Sequence, residues 1–532
     1  MADKVTGSEF GKMLRIVLND DKFNEVKALL EEADLLVLVN EKYRDWLKSQ
    51  NNLQSCENDQ DELKQREKIV VIFEKLVECC QTNISDREGW TEEEIVNYKK
   101  QSSVVLTACQ CLLYSLWKKL NQIDTGNPHS YRKFLMKKIA CCLVSLCAAN
   151  LEEHSWSSTD SRLTAHELLS FICTHCQCSS ISELLSGDAE FNSGSKCTHQ
   201  DTSASEDTST VGLVFPSGLF RLVLDFLRPH LLKETWKKSP IAYHALVWCT
   251  MQIKHPFVGD HFPKLMSPLL LLIDDYKVDN KVLGLKCLRH VVENMNSAEL
   301  QWYGRADVLF EAIQRHLYTS EPSVVKAVHP CLISILKVVE LSPIKPKFGR
   351  KTNKFDSTFQ IVLSSMEFES KLAMRRAYAS HLKNFIEHMG ITTLRHFKRL
   401  LRVMVSYLEV SDYPNEEARL GILDALHTTM LHAWPRIPHH SLPILKCLLK
   451  LLVDLTDSAP HLTAQAYQQL RAKTSDCLLV LLICCGTPVQ EQLRESTKGV
   501  GHSEVEDCVT NVLGEFEGEK TDVSSFREQD VI

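Results

Sequence analysis

The feature that most constrains this chain is a repeated pattern of paired apolar stripes, each pair broken by a short polar turn. From Leu265 to Ile273 the apolar residues fall on one helical face, and Tyr276 to Asn280 breaks the pattern. Val282, Leu285, Leu288, Val292 and Met295 then recur at helical steps of 3 and 4 residues. The unit returns as Val308–Leu317 with Val324–Val339, as a pair turning near Glu367, and as Leu394–Leu408 with Ala418–Met430. A last pair turns near Asp457 and closes on the apolar run to Cys485. Turns at Asp279, Glu321, Glu367, Pro414 and Asp457 are spaced by 42, 46, 47 and 43 residues, within the roughly 40–47-residue period of HEAT and armadillo repeats. One hairpin cannot bury its own apolar face, so hairpins at a fixed period predict a stack. The expected fold is all-α, an elongated α-solenoid of HEAT/armadillo-like hairpins with a less regular helical N-terminal half.

Local signals sharpen that reading. Ser320-Glu321-Pro322-Ser323 reads as a cap followed by an early-turn proline, and Gly390 as a C-cap. Helices are expected at Arg66–Cys80, Glu92–Leu120, Tyr131–Asn150, Leu163–Cys176, Ser217–Leu232 and Ile241–Ile253, the second opened by a capping box at Thr91. Only 19 of 532 residues are Gly, too few for a fold rich in tight turns and phosphate loops. Residues 178–210 hold 13 Ser/Thr in 33 positions, and 498–532 hold nine Asp/Glu against three Lys/Arg. The expected organisation is therefore an irregular helical region over 1–177 and a disordered linker over 178–212. The repeats follow over 213–487, and an acidic, disordered tail over 488–532.

Charge and cysteine usage narrow the function. The chain carries 61 Lys+Arg against 68 Asp+Glu, a net charge of −7, which argues against broad nucleic-acid or membrane binding. The opening Met1-Ala2-Asp3-Lys4 has no apolar core segment, and many of the 20 Cys sit in apolar runs such as Cys79-Cys80 and Cys141-Cys142. Reduced thiols acting as small hydrophobes in an intracellular protein are expected. No Walker A loop, nucleophile elbow, H-E-x-x-H pair or kinase catalytic loop occurs. The expectation is a protein that is not an enzyme and uses no cofactor.

Three clusters remain. Cys173, Cys176 and Cys178, followed by Cys197, have zinc-ligand spacing. A structural zinc site orders its loop, however, and this Ser-rich segment reads as unfoldable, so inert thiols are the plainer expectation. Arg395, Lys398, Arg399 and Arg402 form a stripe at offsets 0, 3, 4 and 7, and Lys345, Lys347, Arg350, Lys351 and Lys354 form a basic stretch. Each is either a solvated surface or a docking site for an acidic partner. In the loop His432–His440, Trp434 is expected to pack between the fourth and fifth hairpins. Alternatively Trp434 and Arg436 belong to a partner-facing hot spot, where such residues are enriched. Second helices such as Lys281–Met295 are expected to line the concave face of the stack, with that loop at its rim.

The stretch Asp279-Asn-Lys-Val-Leu-Gly-Leu-Lys-Cys-Leu-Arg-His-Val291, the continuation Trp302-Tyr-Gly-Arg-Ala-Asp-Val308 and the loop Ala433-Trp-Pro-Arg-Ile437 resemble the Tel-two-interacting protein two family. The resemblance covers roughly Val211 to Cys485. It implies a non-catalytic subunit of a Tel-two/Tti-one/Tti-two cochaperone complex, acting in cytoplasm and nucleus. Its direct partners are then the HEAT-repeat Tel-two and Tti-one types. Indirect partners are the ninety-kilodalton heat-shock chaperone system and the phosphatidylinositol-3-kinase-related kinases, TOR and the DNA-damage kinases. It implies neither membrane nor direct nucleic-acid contact, and brings no catalytic residues. The competing reading is a nuclear-transport or nucleic-acid-associated HEAT adaptor.

Overall fold

A computed structural model describes residues 20–32, 59–80, 91–122, 128–187, 214–340, 352–497 and 502–529. Among them every regular element is a helix. They divide into two compact units, Met1–Leu271 and Leu272–Ile532.

The first unit contains α1 (Asp20–Glu32), α2 (Asp59–Cys80), α3 (Glu92–Gln122), α4 (Pro128–Ala148), α5 (Thr159–His175), α6 (Ile181–Ser186), α7 (Phe220–Leu227), α8 (Pro240–Met251) and most of α9 (Val258–Ile273). The capping box at the start of α3 forms as expected: Thr91 Oγ1 accepts from the Glu94 N–H at 3.2 Å, and Glu94 accepts from the Thr91 N–H at 2.7 Å. At the centre lies α4, packed by α2, α3, α5, α7 and α8. Its second half is apolar on every side, Cys142, Leu143, Val144, Leu146 and Cys147 all being buried, which is what a helix with neighbours all round requires. The described cysteines are free, and most are buried.

The Ser/Thr-rich stretch does not separate two domains. Residues 188–213 lie outside the described residues, but their flanks touch. The Leu219 N–H donates to Leu184 O at 2.9 Å and the Val214 N–H to Cys176 O at 3.3 Å. Gly187 and Gly218 have φ of +79° and +80°, and a Cβ on Gly218 would sit 2.3 Å from Leu185 O. The segment therefore leaves and rejoins the first unit at one point, and the division between units falls inside α9. Sequence composition marks a polar stretch but does not say whether its two ends are apart.

The second unit continues with α10 (Val278–Glu293), the short α11 (Ser297–Gln301), α12 (Arg305–Gln314), α13 (Pro322–Val339), α14 (Lys354–Phe368), α15 (Leu372–Met389), α16 (Phe397–Leu408), α17 (Glu417–Ala433), α18 (Ser441–Ser458), α19 (Ala464–Cys485), α20 (Thr487–Thr497) and α21 (Ser503–Gln529). Within it α10, α13, α15, α17, α19 and α21 stack in one layer, while α14, α16, α18 and α20 stack in the other. This is the hairpin stack of a HEAT/armadillo-like α-solenoid. Helix α13 is long and apolar enough to span a bilayer by composition. Its apolarity is accounted for by burial, since α10 and α15 flank it and Val324, Val328, Leu332 and Leu336 are buried. Between α15 and α17 the backbones come close at Gly421, where a Cβ would lie 2.9 Å from Ala379 O.

Two local expectations change. Pro322 opens α13, but its N-cap residue is Glu321, with no side-chain cap bond; Ser320 does not cap. The tail over 488–532 is not a disordered end: α20 and α21 form a sixth hairpin. Val505, Cys508, Val509, Val512 and Phe516 are buried, and the Tyr467 hydroxyl donates to Glu504 at 2.6 Å. Those apolar residues recur at helical spacing, and the excess of acids over bases in the segment masks them.

Two histidines, His244 half-buried and His329 buried, set a pH dependence. His244 packs in the first unit against His154 and Trp156 at ring distances of 4.4 and 4.8 Å. His329 packs in the second against Tyr378, His381 and Phe385 at 5.7, 6.3 and 5.4 Å. Burial lowers each to about 3, so both fold as neutral imidazoles. The unfolded chain binds these protons near pH 6.5, so the stabilisation is complete above that pH and is lost as pH falls toward 3. The expected slope is about 1.4 kcal/mol per pH unit per histidine within that window. Urea titrations at pH 7.5, 6.0 and 5.0 check it, and His329→Phe should flatten the slope.

At the Gly187/Gly218 contact, Gly218→Ala should cost about 2–3 kcal/mol through strain and a backbone clash. Gly514→Ala, in a helix with nothing within 4 Å of the new Cβ, should instead gain about 0.5–1 kcal/mol. Urea midpoints of the two variants compare the effects.

Candidate partner-binding surface

Charged side chains join successive hairpins in the second unit, several from a later cation back to an earlier acid, while Arg376–Asp412 and Arg419–Asp454 run the other way. Arg315 reaches Asp274 at 3.5 Å, Lys354 reaches Asp307 at 2.5 Å, and Lys450 reaches Glu409 at 3.2 Å. In each of these three pairs the acid belongs to the earlier hairpin and the cation to the later. The sequence-predicted stripe is part of this ladder. Arg395, in the 3-10 turn before α16, binds Asp356 at 2.5 Å, with His396 on the other oxygen at 3.0 Å. Arg399 and Arg402, one turn apart on α16, both bind Glu367 at 2.7 and 2.6 Å. Lys398 is exposed on the same helix. Lys398, Arg399 and Arg402 share α16 while Arg395 lies in the turn before it, and the fold places two carboxylates of α14 beneath Arg395, Arg399 and Arg402. Lys354, the described member of the other basic stretch, also lies 4.8 Å from the Phe310 ring. Lys345, Lys347, Arg350 and Lys351 lie outside the described residues.

Asp356 is the tightest node of the ladder. Its buried carboxylate also closes a reciprocal capping box with Asn353 at the start of α14, with bonds of 3.1 Å in each direction. A second buried node forms at the α16–α17 turn. Arg376 donates to the Asp412 carboxylate at 2.7 Å and to the Asp412 carbonyl at 2.6 Å. Beside it the fully buried Glu416 accepts from Ser411 and from the Asp412 N–H, and burial raises its carboxyl.

Cys173, Cys176 and Cys178 end α5 and begin the loop after it. They are buried, with the Cys178 N–H donating to Cys173 O at 2.9 Å. Burial pushes the Cys173 and Cys178 thiols up to about 11 and about 12, and Cys176 higher still. Neutral thiols are poor metal ligands and poor nucleophiles. His175 stacks on Phe171 at 4.1 Å and Trp117 at 4.6 Å. Cys197 lies outside the described residues, and among those described no three metal-ligating side chains converge.

The Trp434–His440 turn joins α17 to α18. Trp434 does not pack between hairpins: it is 61% exposed, and Ala433 and Ile437 take the inward positions. Arg436 is exposed beside it, and His440 lies 4.9 Å from the Phe397 ring. Trp434 and Arg436 thus share an accessible turn, as a partner-facing pair would. At the opposite ends of the hairpins, where first helix turns into second, sequence reading missed a series of exposed aromatics. They are Tyr276, Tyr318, Phe368 and Tyr413, at 54%, 72%, 83% and 40% exposure. The available signal was an aromatic recurring in successive polar breaks, which a search for buried periodicity passes over.

Residues 142–414 match the Tti2 family. The chain belongs to the Tti2 family. TELO2-interacting protein 2 of Rattus norvegicus is 36% identical over 363 residues, covering 68% of this chain and 66% of that one. Its Homo sapiens counterpart is 36% identical over 334 residues, covering 62% of this chain and 61% of that one. This Tti2-family chain therefore spans a little under two thirds of the length of those relatives. A structure of importin beta aligns over 95% of this chain and 61% of its own, at 13% identity and a TM-score of 0.45, too loose a match to bear on function.

The two ends of the ladder predict unequal mutants. Asp356→Ala leaves Arg395 and His396 without their shared carboxylate and removes a cap, and should cost about 1–2 kcal/mol. Arg402→Ala, at the exposed end, should cost under about 0.5 kcal/mol. Chemical denaturation of both variants beside the parent chain measures the contrast.

Proposed function

We propose that this chain is a non-catalytic scaffold subunit of a cochaperone assembly. There it pairs with TELO2-type and Tti-one-type HEAT-repeat proteins and, through them, the ninety-kilodalton heat-shock chaperone. Its task is to hold newly made phosphatidylinositol-3-kinase-related kinases, TOR and the DNA-damage kinases, until they are stable, in cytoplasm and nucleus. The observation that carries this reading is membership of the Tti2 family, whose rat, mouse and human relatives are named for interaction with TELO2. Stacked hairpins supply what such a role needs: a long protein surface assembled from many turns and helix faces. Most of the described thiols are buried, burial keeps those of Cys173, Cys176 and Cys178 protonated, and the buried Asp356 and Asp412 close ion pairs and a cap, which supports structural work for these groups.

Mechanistically a scaffold of this kind works by binding energy alone. A partner interface above the standard size of roughly 1,600 Å² is expected. Losing the chain should then lower the amount of each kinase without altering synthesis of its message. Acute depletion followed by kinase immunoblots and message quantification tests this. Kinase protein falling several-fold at constant message supports the reading, and unchanged kinase protein overturns it. Purified chain mixed with a TELO2-type protein should also elute with it as one species.

A further inference from the structure

We infer that the surface around the Trp434 turn, with the first turns of α16 and α18 beside it, is a docking site for an acidic partner segment that carries apolar anchors. The inference concerns the chemistry of that surface and does not depend on the cochaperone reading.

The charge is set first by sequence. Residues 388–408 and 425–453 contain no Asp or Glu. The first stretch carries Arg395, Lys398, Arg399 and Arg402, and the second Arg436, Lys446 and Lys450. The fold lays the two stretches side by side: α16 packs on α18, and the Phe397 and His440 rings lie 4.9 Å apart. It brings three carboxylates to them, Asp356 to Arg395, Glu367 to Arg399 and Arg402, and Glu409 to Lys450. Glu387, Asp424 and Asp454, which flank the stretches, are matched by Lys383, Lys473 and Arg419, all outside them. Lys398, Arg436 and Lys446 are exposed and make no ion pair among the described residues. Seven cations therefore meet three carboxylates, and the surface keeps a positive surplus.

Unpaired acids resume beyond it. Asp476 lies beside the middle of α17, near the Lys473–Asp424 pair and so about two turns from Leu431. Glu491 and Glu495 are exposed on α20. None of the three pairs with a cation of the two stretches among the described residues, so they border the basic surface without neutralising it.

Apolar side chains are interleaved with these cations. Ile391, Leu431, Trp434 and Leu442 are 55%, 54%, 61% and 63% exposed. Leu431 and Trp434 stand one turn apart at the end of α17, as Leu442 and Lys446 do on α18. Closing the turn does not require them, since the buried Ala433 and Ile437 fill its inward positions. Pro435 and Pro438 fix the local backbone, so the surface is presented with little left to order on binding.

Charge and apolarity together select the occupant. The surplus calls for a negative partner. A nucleic-acid backbone would meet Lys398, Arg436 and Lys446 through its phosphates but leave Ile391, Leu431 and Leu442 in water. An acidic protein segment with leucine or aromatic side chains covers both, and Trp and Arg are the residues that concentrate binding energy in protein interfaces.

The test uses the full chain and three labelled twelve-residue peptides: Leu-Glu-Glu-Phe, Leu-Lys-Lys-Phe and Ser-Glu-Glu-Ser, each repeated three times. Fluorescence anisotropy should detect the first, with the other two and a labelled DNA duplex at least tenfold weaker. Hydrogen exchange on adding the first peptide should slow at residues 431–446. Trp434→Ser/Leu442→Ser removes anchors and Arg436→Glu/Lys446→Glu reverses charge, and each should weaken binding at least tenfold. Both variants should keep the parent melting temperature, because all four side chains are exposed. No binding of the Leu-Glu-Glu-Phe peptide, equal binding of either other peptide, preference for the duplex, protection elsewhere, or unchanged affinity in either variant overturns the inference.

Discussion

The stack depends on one constraint: a helical hairpin has an apolar side that only another hairpin can cover. Each second helix in the second unit therefore lies against the one before it and the one after it. The most apolar of them, α13, is also one with neighbours on both flanks. Close approach at Gly421 lets the α15 and α17 backbones meet without a side chain between them. The same constraint explains α21. Helix α21 buries Val505, Val509 and Phe516 against its neighbours. What reads by composition as an acidic tail is, by periodicity, one more hairpin of the stack.

Electrostatics then refine the stack without driving it. Most ladder pairs lie at least partly in solvent and are individually weak. Their value is that each joins a fixed position on one hairpin to a fixed position on the next. Two nodes are buried, Asp356 and the Asp412/Glu416 turn, and there the pairing is tied to caps and backbone groups. The arginines of α16 face acids of α14, so a stripe that reads as surface charge in one dimension is inter-hairpin glue in three.

Family membership and the stacked-hairpin fold both support the proposed scaffold role. The accessible features point the same way: an exposed Trp434 with Arg436 at one end of the hairpins, and a series of exposed aromatics at the other. The cysteine cluster, the strongest chemical motif by spacing, becomes part of the packing around α5, where burial keeps its thiols protonated.

The sequence by itself determined the helices, their pairing and their period, because amphipathic spacing, prolines and caps are local and act over a few residues. It also carried the family signature, the Asp279–Val308 stretch lying within the matched residues 142–414. It located the stripe of Arg395, Lys398, Arg399 and Arg402 on one face, since 3.6-residue geometry requires that. Only the tertiary structure decided what lay opposite: Glu367 under Arg399 and Arg402, Ile437 inside in place of Trp434, and Gly187 against Gly218. Those outcomes join residues tens of positions apart, and the choice is made by which surfaces meet when hairpins stack. No local pattern encodes that meeting, so charge, exposure and loop closure remain undetermined until the stack is built.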